Sequence, residues 1–231
     1  MCGRFALDAP STRVAEKFSL ADCPLLAPRY NIAPTSDILV VRHRPEVGRI
    51  GQLVRWGLVP AWAKDPSIGA KLINARAETV ETKPSFRSSF ARHRCLIPAS
   101  GFYEWKVVSE NGKVRRQPYY VRPAEGDGLF AFAGLLARWR SGTGEDLVTA
   151  CIITTEANAL MAPIHDRMPA ILAPGAWDAW LGAENASTAA LRALLGPAPP
   201  EGMTAYAVGT AVNRAGAEGE GLIKEVSEGM R

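Results

Sequence analysis

The chain has 231 residues, 47% hydrophobic and 22% charged, with a net charge of +4. This is the composition of a soluble globular protein with one sizeable core; no linker, repeat or low-complexity run divides it, and 21 glycines with 17 prolines speak against a helical bundle. The four cysteines form no Cys-x-x-Cys pair, the three histidines have no zinc-ligand spacing, and no apolar run approaches the roughly 20 residues of a membrane helix, which excludes a structural metal and a spanning segment.

Residues 12–18 read as a short helix, with Ser11 or Thr12 as its N-cap. Pro24, Pro28 and Pro34 break the next stretch into loop. Strands rich in Val, Ile and Leu are predicted over 38–42 and 51–58, followed by a Trp/Pro-rich loop over 56–66. Helices are predicted over 77–82 and 85–92, and strands over 95–97 and 102–108. Asn111-Gly112 marks a hairpin turn into a strand over 116–122. Two further apolar strands span 129–137 and 147–154. Helices near 157–161, 176–181 and 187–195 and a strand over 204–208 complete the pattern, and the last residues are expected to fray.

Strands joined by turns dominate the middle, with helices at the periphery. The expectation is an α+β fold: a single compact domain over 1–231 with a mainly antiparallel, barrel-like β core. Neither a βαβ alternation nor a Gly-rich phosphate loop is present, which argues against a dinucleotide fold. No basic, then apolar, leader opens the sequence, and the cysteine pattern fits a reduced compartment, so a cytoplasmic protein without a signal peptide is expected. The pI of about 9.0 is compatible with a nucleic-acid partner.

Four segments place polar residues where a pure core does not want them. The first is Met1-Cys2-Gly3-Arg4-Phe5. With Met1 removed, Cys2 offers a thiol (reference pKa about 8.5) beside an α-amine (about 7.7–8.0), both partly deprotonated near neutral pH. Such a pair can close a thiazolidine ring on an aldehyde, or attack an amide with the amine as base. The second segment, Leu72-Ile73-Asn74-Ala75-Arg76-Ala77-Glu78, holds an amide able to orient that amine, or a helix cap. In Gly101-Phe102-Tyr103-Glu104-Trp105 a carboxylate sits between aromatics. Alternation puts Glu104 on the face opposite Tyr103 and Trp105, either in solvent or in a dry pocket where its pKa rises and it shuttles protons. The fourth segment, Ile164-His165-Asp166-Arg167-Met168-Pro169, adds a histidine suited to acid/base work or bonded to the neighbouring carboxylate. Arg4, Arg76 and Arg167 are candidate phosphate ligands, and Trp62 and Phe102 candidate base-stacking platforms or ordinary packing residues.

Together with Arg29-Tyr30-Asn31-Ile32-Ala33-Pro34, Trp56-Gly57-Leu58-Val59-Pro60 and Arg94-Cys95-Leu96-Ile97-Pro98, these segments resemble, in order, the SOS response-associated peptidase family of abasic-site shielding proteins. The resemblance implies a compact β-rich fold that needs no metal or other cofactor. It implies binding of single-stranded DNA containing abasic sites, with no membrane partner, by a monomer. It makes Cys2 the crosslinking residue, Asn74 the group that positions its amine, Glu104 the proton-transfer group and His165 an assistant in Schiff-base chemistry and reversal. Arg4, Arg76 and Arg167 would hold phosphates, Trp62 would wedge or stack the strand, and the peptidase activity would remove Met1. The sequence departs from the pattern at Pro84 and Ser85, where some members have another basic residue, and after Asn213. An N-terminal-nucleophile amidohydrolase, a thiol peptidase built on Cys2 and His165, and a DNA-binding module without chemistry remain as alternatives.

Overall fold

The computed structural model describes residues 2–110, 112–125, 128–182 and 187–226. In chain order its strands are β1 (Phe5–Leu7), β2 (Leu20–Asp22), β3 (Arg29–Ile32), β4 (Asp37–Arg44), β5 (Gly48–Trp56), β6 (Asn74–Arg76), β7 (Arg94–Ala99), β8 (Gly101–Glu110), β9 (Lys113–Pro123), β10 (Phe130–Arg140), β11 (Asp146–Glu156), β12 (Arg167–Pro169) and β13 (Met203–Ala207). The helices are short: α1 (Ser11–Phe18), α2 (Arg87–Arg92), α3 (Trp177–Leu181) and α4 (Thr188–Ala193).

The apolar runs pair in the order β11-β10-β7-β4-β5. β5 then returns to β11 in parallel, through Thr149↔Arg55 and Ala150↔Trp56, and the ring closes into a small barrel. Closure satisfies backbone groups that an open sheet would leave at its edges. Trp56, Leu96, Phe132 and Ile152 are fully buried and belong to one core cluster.

A second sheet, β13-β9-β8-β1-β3, is joined to that core by rings. Phe5 meets Trp56 and Phe132 edge-on at 5.3 and 6.1 Å, and Phe102 meets Phe132 at 5.9 Å. Its other face packs Tyr103 and Tyr120 against Val208, Val212, Ala217 and Leu222. Strand β8 is therefore covered on both sides, which is why it lacks a clean polar face. The expected α+β fold with a barrel-like, mainly antiparallel core is what the chain adopts.

Several local expectations are corrected. Residues 77–82 form successive turns, not a helix: Thr79 N–H donates to Arg76 O and Lys83 N–H to Thr79 O, and Pro84 follows. Residues 157–161 are likewise a turn, closed by Met161 N–H on Asn158 O, with Pro163 blocking extension. The residue preceding α1 is Pro10, which supplies no side-chain cap. Ser11 Oγ instead accepts from Leu26 N–H at 2.7 Å, and Thr12 lies inside the helix. β3 emerges from the proline-rich stretch because Ile32 pairs with Phe5 of β1. At the expected hairpin, β8 and β9 pair through to Glu110↔Lys113 and Gly112 has φ +75°; Asn111 lies outside the described residues, as do the C-terminal residues expected to fray. Among the described residues no helix is long and apolar enough to cross a membrane.

β5 ends at Gly57, where φ is +124°. A Cβ here would lie 2.6 Å from the Gly69 carbonyl oxygen, and one on Gly69 would lie 2.6 Å from the Gly57 oxygen. The two backbones touch with no room for a side chain. Gly57→Ala combines a forbidden backbone angle with a main-chain clash and should cost about 2–4 kcal/mol. Urea denaturation checks this; a variant as stable as the parent would refute the contact.

Candidate active site

The site lies where β6 docks on β11. Ile152 N–H donates to Ile73 O at 3.0 Å and Ala77 N–H to Thr154 O at 2.9 Å, so β6 is held at both ends. Trp56 Nε1 also donates to Ile73 O at 3.0 Å. Asn74 is therefore a strand residue rather than a helix cap. Its Nδ2 donates to the Cys2 carbonyl at 2.8 Å. Its Oδ1 is buried with no hydrogen-bond partner among the described residues. An amide that grips Cys2 with one end therefore has an acceptor left for a further donor.

Cys2 is fully buried. Burial, and then the nearby Glu104 carboxyl, push its thiol well above the ordinary value. Glu104, on β8 opposite Tyr119, is 2% exposed. Desolvation is the main cause of a rise in its pKa to about 7, and Asp166 pushes the same way. A carboxyl at that value is present in both protonation states near neutrality, as a proton-transfer group requires.

His165 stands beside it, with Nε2 3.9 Å from Glu104 Oε2. Nδ1 has two contacts at 2.9 Å: the Arg167 backbone N–H and Asp166 Oδ1. The first needs a lone pair and the second a proton, so they cannot coexist on one neutral ring. We assign the lone pair to Nδ1, because the Asp166 side chain is 87% exposed and burial holds the His165 pKa below its usual value. The Nε2 proton then faces Glu104.

The expected DNA ligands are dispersed. Arg76 is exposed on β6, two residues from Asn74 and so on the same strand face. Trp62 is 60% exposed beyond β5. Arg4 donates to Asn31 Oδ1 at 2.7 Å and to Val212 O at 2.8 Å, which ties β1 to the C-terminal layer. Arg167 donates to Glu78 at 2.5 and 3.0 Å and to Thr154 O at 2.7 Å. Phe102 corrects an expectation: it is fully buried between Phe130 and Phe132, and a ring with no free face offers no base a platform.

Two contributors were missed. Asn31 Nδ2 lies within 3.0–3.3 Å of the Val212, Arg214 and Ala217 carbonyls while its oxygen holds Arg4. Glu78, at the end of the Asn74 segment, is the carboxylate on Arg167, and that bond holds its own pKa low. Its spacing from Asn74 was visible, but its partner lies across the fold. Among the described residues no three His, Cys, Asp or Glu side chains gather as a metal site.

The small barrel thus brings Cys2, Asn74, Glu104 and His165 together. Residues 1–215 match the family model described as SOS response associated peptidase (SRAP), and the chain belongs to that family. It is similar to "Abasic site processing protein YoqW" of Bacillus subtilis (strain 168), at 43% identity over 216 residues, covering 92% of this chain and 94% of that one. It is also similar to "Abasic site processing protein YedK" of Escherichia coli (strain K12), at 30% identity over 235 residues, covering 98% and 100%. A crystal structure of a Bacteroides thetaiotaomicron protein has the same fold, with a TM-score of 0.85 at 27% identity over 98% of this chain and 100% of that one.

The raised Glu104 pKa has a stability consequence. Between the ordinary value of 4.5 and about 7 the folded chain keeps a proton that the unfolded chain has released. Stability contributed by this group is full below that window and falls as pH rises through it, by about 3 kcal/mol. Glu104→Gln removes the titration. Urea denaturation at pH 5 and pH 8 should show the variant losing less stability than the parent; parallel losses would mean that Glu104 does not titrate in this window.

Proposed function

We propose that the protein processes abasic sites in single-stranded DNA by forming a thiazolidine crosslink through Cys2, after its own peptidase activity has removed Met1. The observation that carries this reading is the grip of Asn74 on the Cys2 carbonyl, with the Asn74 oxygen buried and available beside it. That oxygen would accept from the freed α-amine and aim its lone pair at the ring-opened sugar.

The steps follow from the protonation states. The thiol is held protonated by burial, so the amine attacks first. Nitrogen adds to the aldehyde carbon to give a carbinolamine. Protonated Glu104 donates to the departing hydroxyl, and one water leaves as the Schiff base forms. Glu104, now a carboxylate, takes the thiol proton as sulfur adds to the same carbon, while the nitrogen ends as a neutral secondary amine. The product is a five-membered ring without the iminium that would otherwise drive β-elimination and strand cleavage. His165, with Nε2–H directed at Glu104, would assist the proton transfers and the reverse reaction.

Arg76 and Trp62, both exposed, are the best placed of the expected DNA ligands. Arg4 and Arg167 would reach phosphate only by sharing or releasing Asn31, Val212 and Glu78. An extruded sugar on an unpaired strand suits a buried thiol, because a stacked duplex would keep the aldehyde away from it.

Purified protein mixed with abasic single-stranded DNA should give an adduct that survives denaturing electrophoresis. Cys2→Ala and a form that retains Met1 should give none. Glu104→Gln should slow formation by roughly 10²-fold, the usual scale for losing a positioned acid/base group. A stable adduct with Cys2→Ala would end the proposal, and an unchanged rate with Glu104→Gln would remove Glu104 from it.

A further inference from the structure

β11 runs from the reaction site at Thr154 to Asp146, roughly 25 Å away at the usual strand rise. At that far end of the barrel lies a cavity of ≈ 460 Å³ lined by Arg42, His43, Arg92, His93, Arg94 and Arg138. The carboxylate in its lining is Asp146, and it is engaged: Arg138 donates to it, and Arg140 donates at 3.0 and 3.2 Å. The charge left in the wall is positive.

Arg94 makes the excess permanent. It is 5% exposed, and its guanidinium donates to the carbonyls of Trp180, Phe90, Ala91 and Gly182 at 2.6–3.0 Å. Four neutral oxygens solvate that charge without cancelling it. Arg42 Nε is buried with no hydrogen-bond partner among the described residues, and Arg92 donates to Ser88 Oγ at 3.2 Å. These guanidiniums have donors to spare, in the planar fork that matches phosphate. Among the described residues the wall contains no Trp, Tyr or Phe to stack a base.

We propose that this cavity is a phosphate-binding site, separate from the reaction site, that holds a backbone phosphate of a nucleic-acid strand through Arg42, Arg92 and Arg138. The choice of nucleic acid over free phosphate rests on the function proposed above; the positive cavity does not. Arginine contacts to the strand backbone read charge and ignore base identity and damage. The site would anchor strand distant from the lesion and raise the residence of the protein on undamaged DNA.

The test uses the Cys2→Ala protein, so that crosslinking plays no part, and an undamaged oligothymidine of about 20 nucleotides followed by fluorescence anisotropy across salt concentrations. Adding Arg42→Gln and Arg92→Gln should weaken binding roughly tenfold at low salt and reduce the slope of log affinity against log salt by about 1 to 2. In the parent protein, the His43 and His93 ring resonances should shift with the oligonucleotide and not with inorganic phosphate. With Cys2 intact, the double variant should crosslink an abasic trinucleotide at the parent rate, because about three nucleotides cannot span the two sites. Unchanged affinity and slope would overturn the proposal. Ring shifts driven by inorganic phosphate alone would assign the cavity to the free ion and also overturn it. A slowed trinucleotide reaction would mean that these arginines serve the reaction site. Failure of crosslinking with intact binding to undamaged strand would fault the function proposed above and leave this site standing.

Discussion

The placement of Asn74 and Arg167 in the candidate site depends on how β11 is paired. One strand closes the barrel against β5, carries β10 along its antiparallel edge, and receives the short strands β6 and β12. Neither of those three-residue segments would hold a strand conformation alone, since each makes too few ladder bonds to offset the entropy of ordering it. Docked on β11, they fix Asn74 in register with Ile152 and Arg167 with Glu156. Asn74 and Arg167 are thus positioned by main-chain hydrogen bonds to β11, which is buried from Thr149 to Thr155, while Glu104 comes from β8 of the second sheet.

Desolvation then sets the chemistry. The same dryness that lifts the Glu104 carboxyl to about 7 also holds the Cys2 thiol in its protonated form. A site built to favour thiolate would need a cation beside the sulfur; here the next influence after burial is a carboxyl, which opposes ionisation. The order of nucleophiles in the proposed reaction, nitrogen before sulfur, follows from that environment. Glu104 and His165 stand 3.9 Å apart, and in the proposed reaction they would relay protons through a bridging substrate oxygen.

The sequence made the long apolar strands and the closed, turn-rich character of the fold readable, because Val, Ile and Leu runs such as that of β4 and β11 carry their own signal. It failed where tertiary pairing overrode local preference. β3 sits among prolines and exists because β1 needs a partner. Residues 77–82 looked helical, but β-branched Thr79, Val80 and Thr82 and the following Pro84 favour turns once Ala77 is pinned to Thr154. For the site, Cys2, Asn74, Glu104 and His165 were visible as polar residues in apolar company, and the structure brings them together. Phe102 was misread because strand alternation cannot distinguish a ring facing a groove from one facing a second layer of core. Asn31 and Glu78 were invisible as site contributors, since their partners are 181 and 89 residues away in the chain.

The knot of Arg4, Asn31 and the Val212 carbonyl binds the segment leading into β1 to the turn over Thr210–Asn213. Its implication concerns what may be trimmed or varied. The C-terminal layer carries none of the proposed reacting groups, yet it supplies the Val212 carbonyl that accepts from Arg4, two residues from Cys2. A polypeptide shortened ahead of Val212 would keep every reacting residue and still lose its aim, and nearness in the gene would be a poor guide to which changes disable the chemistry.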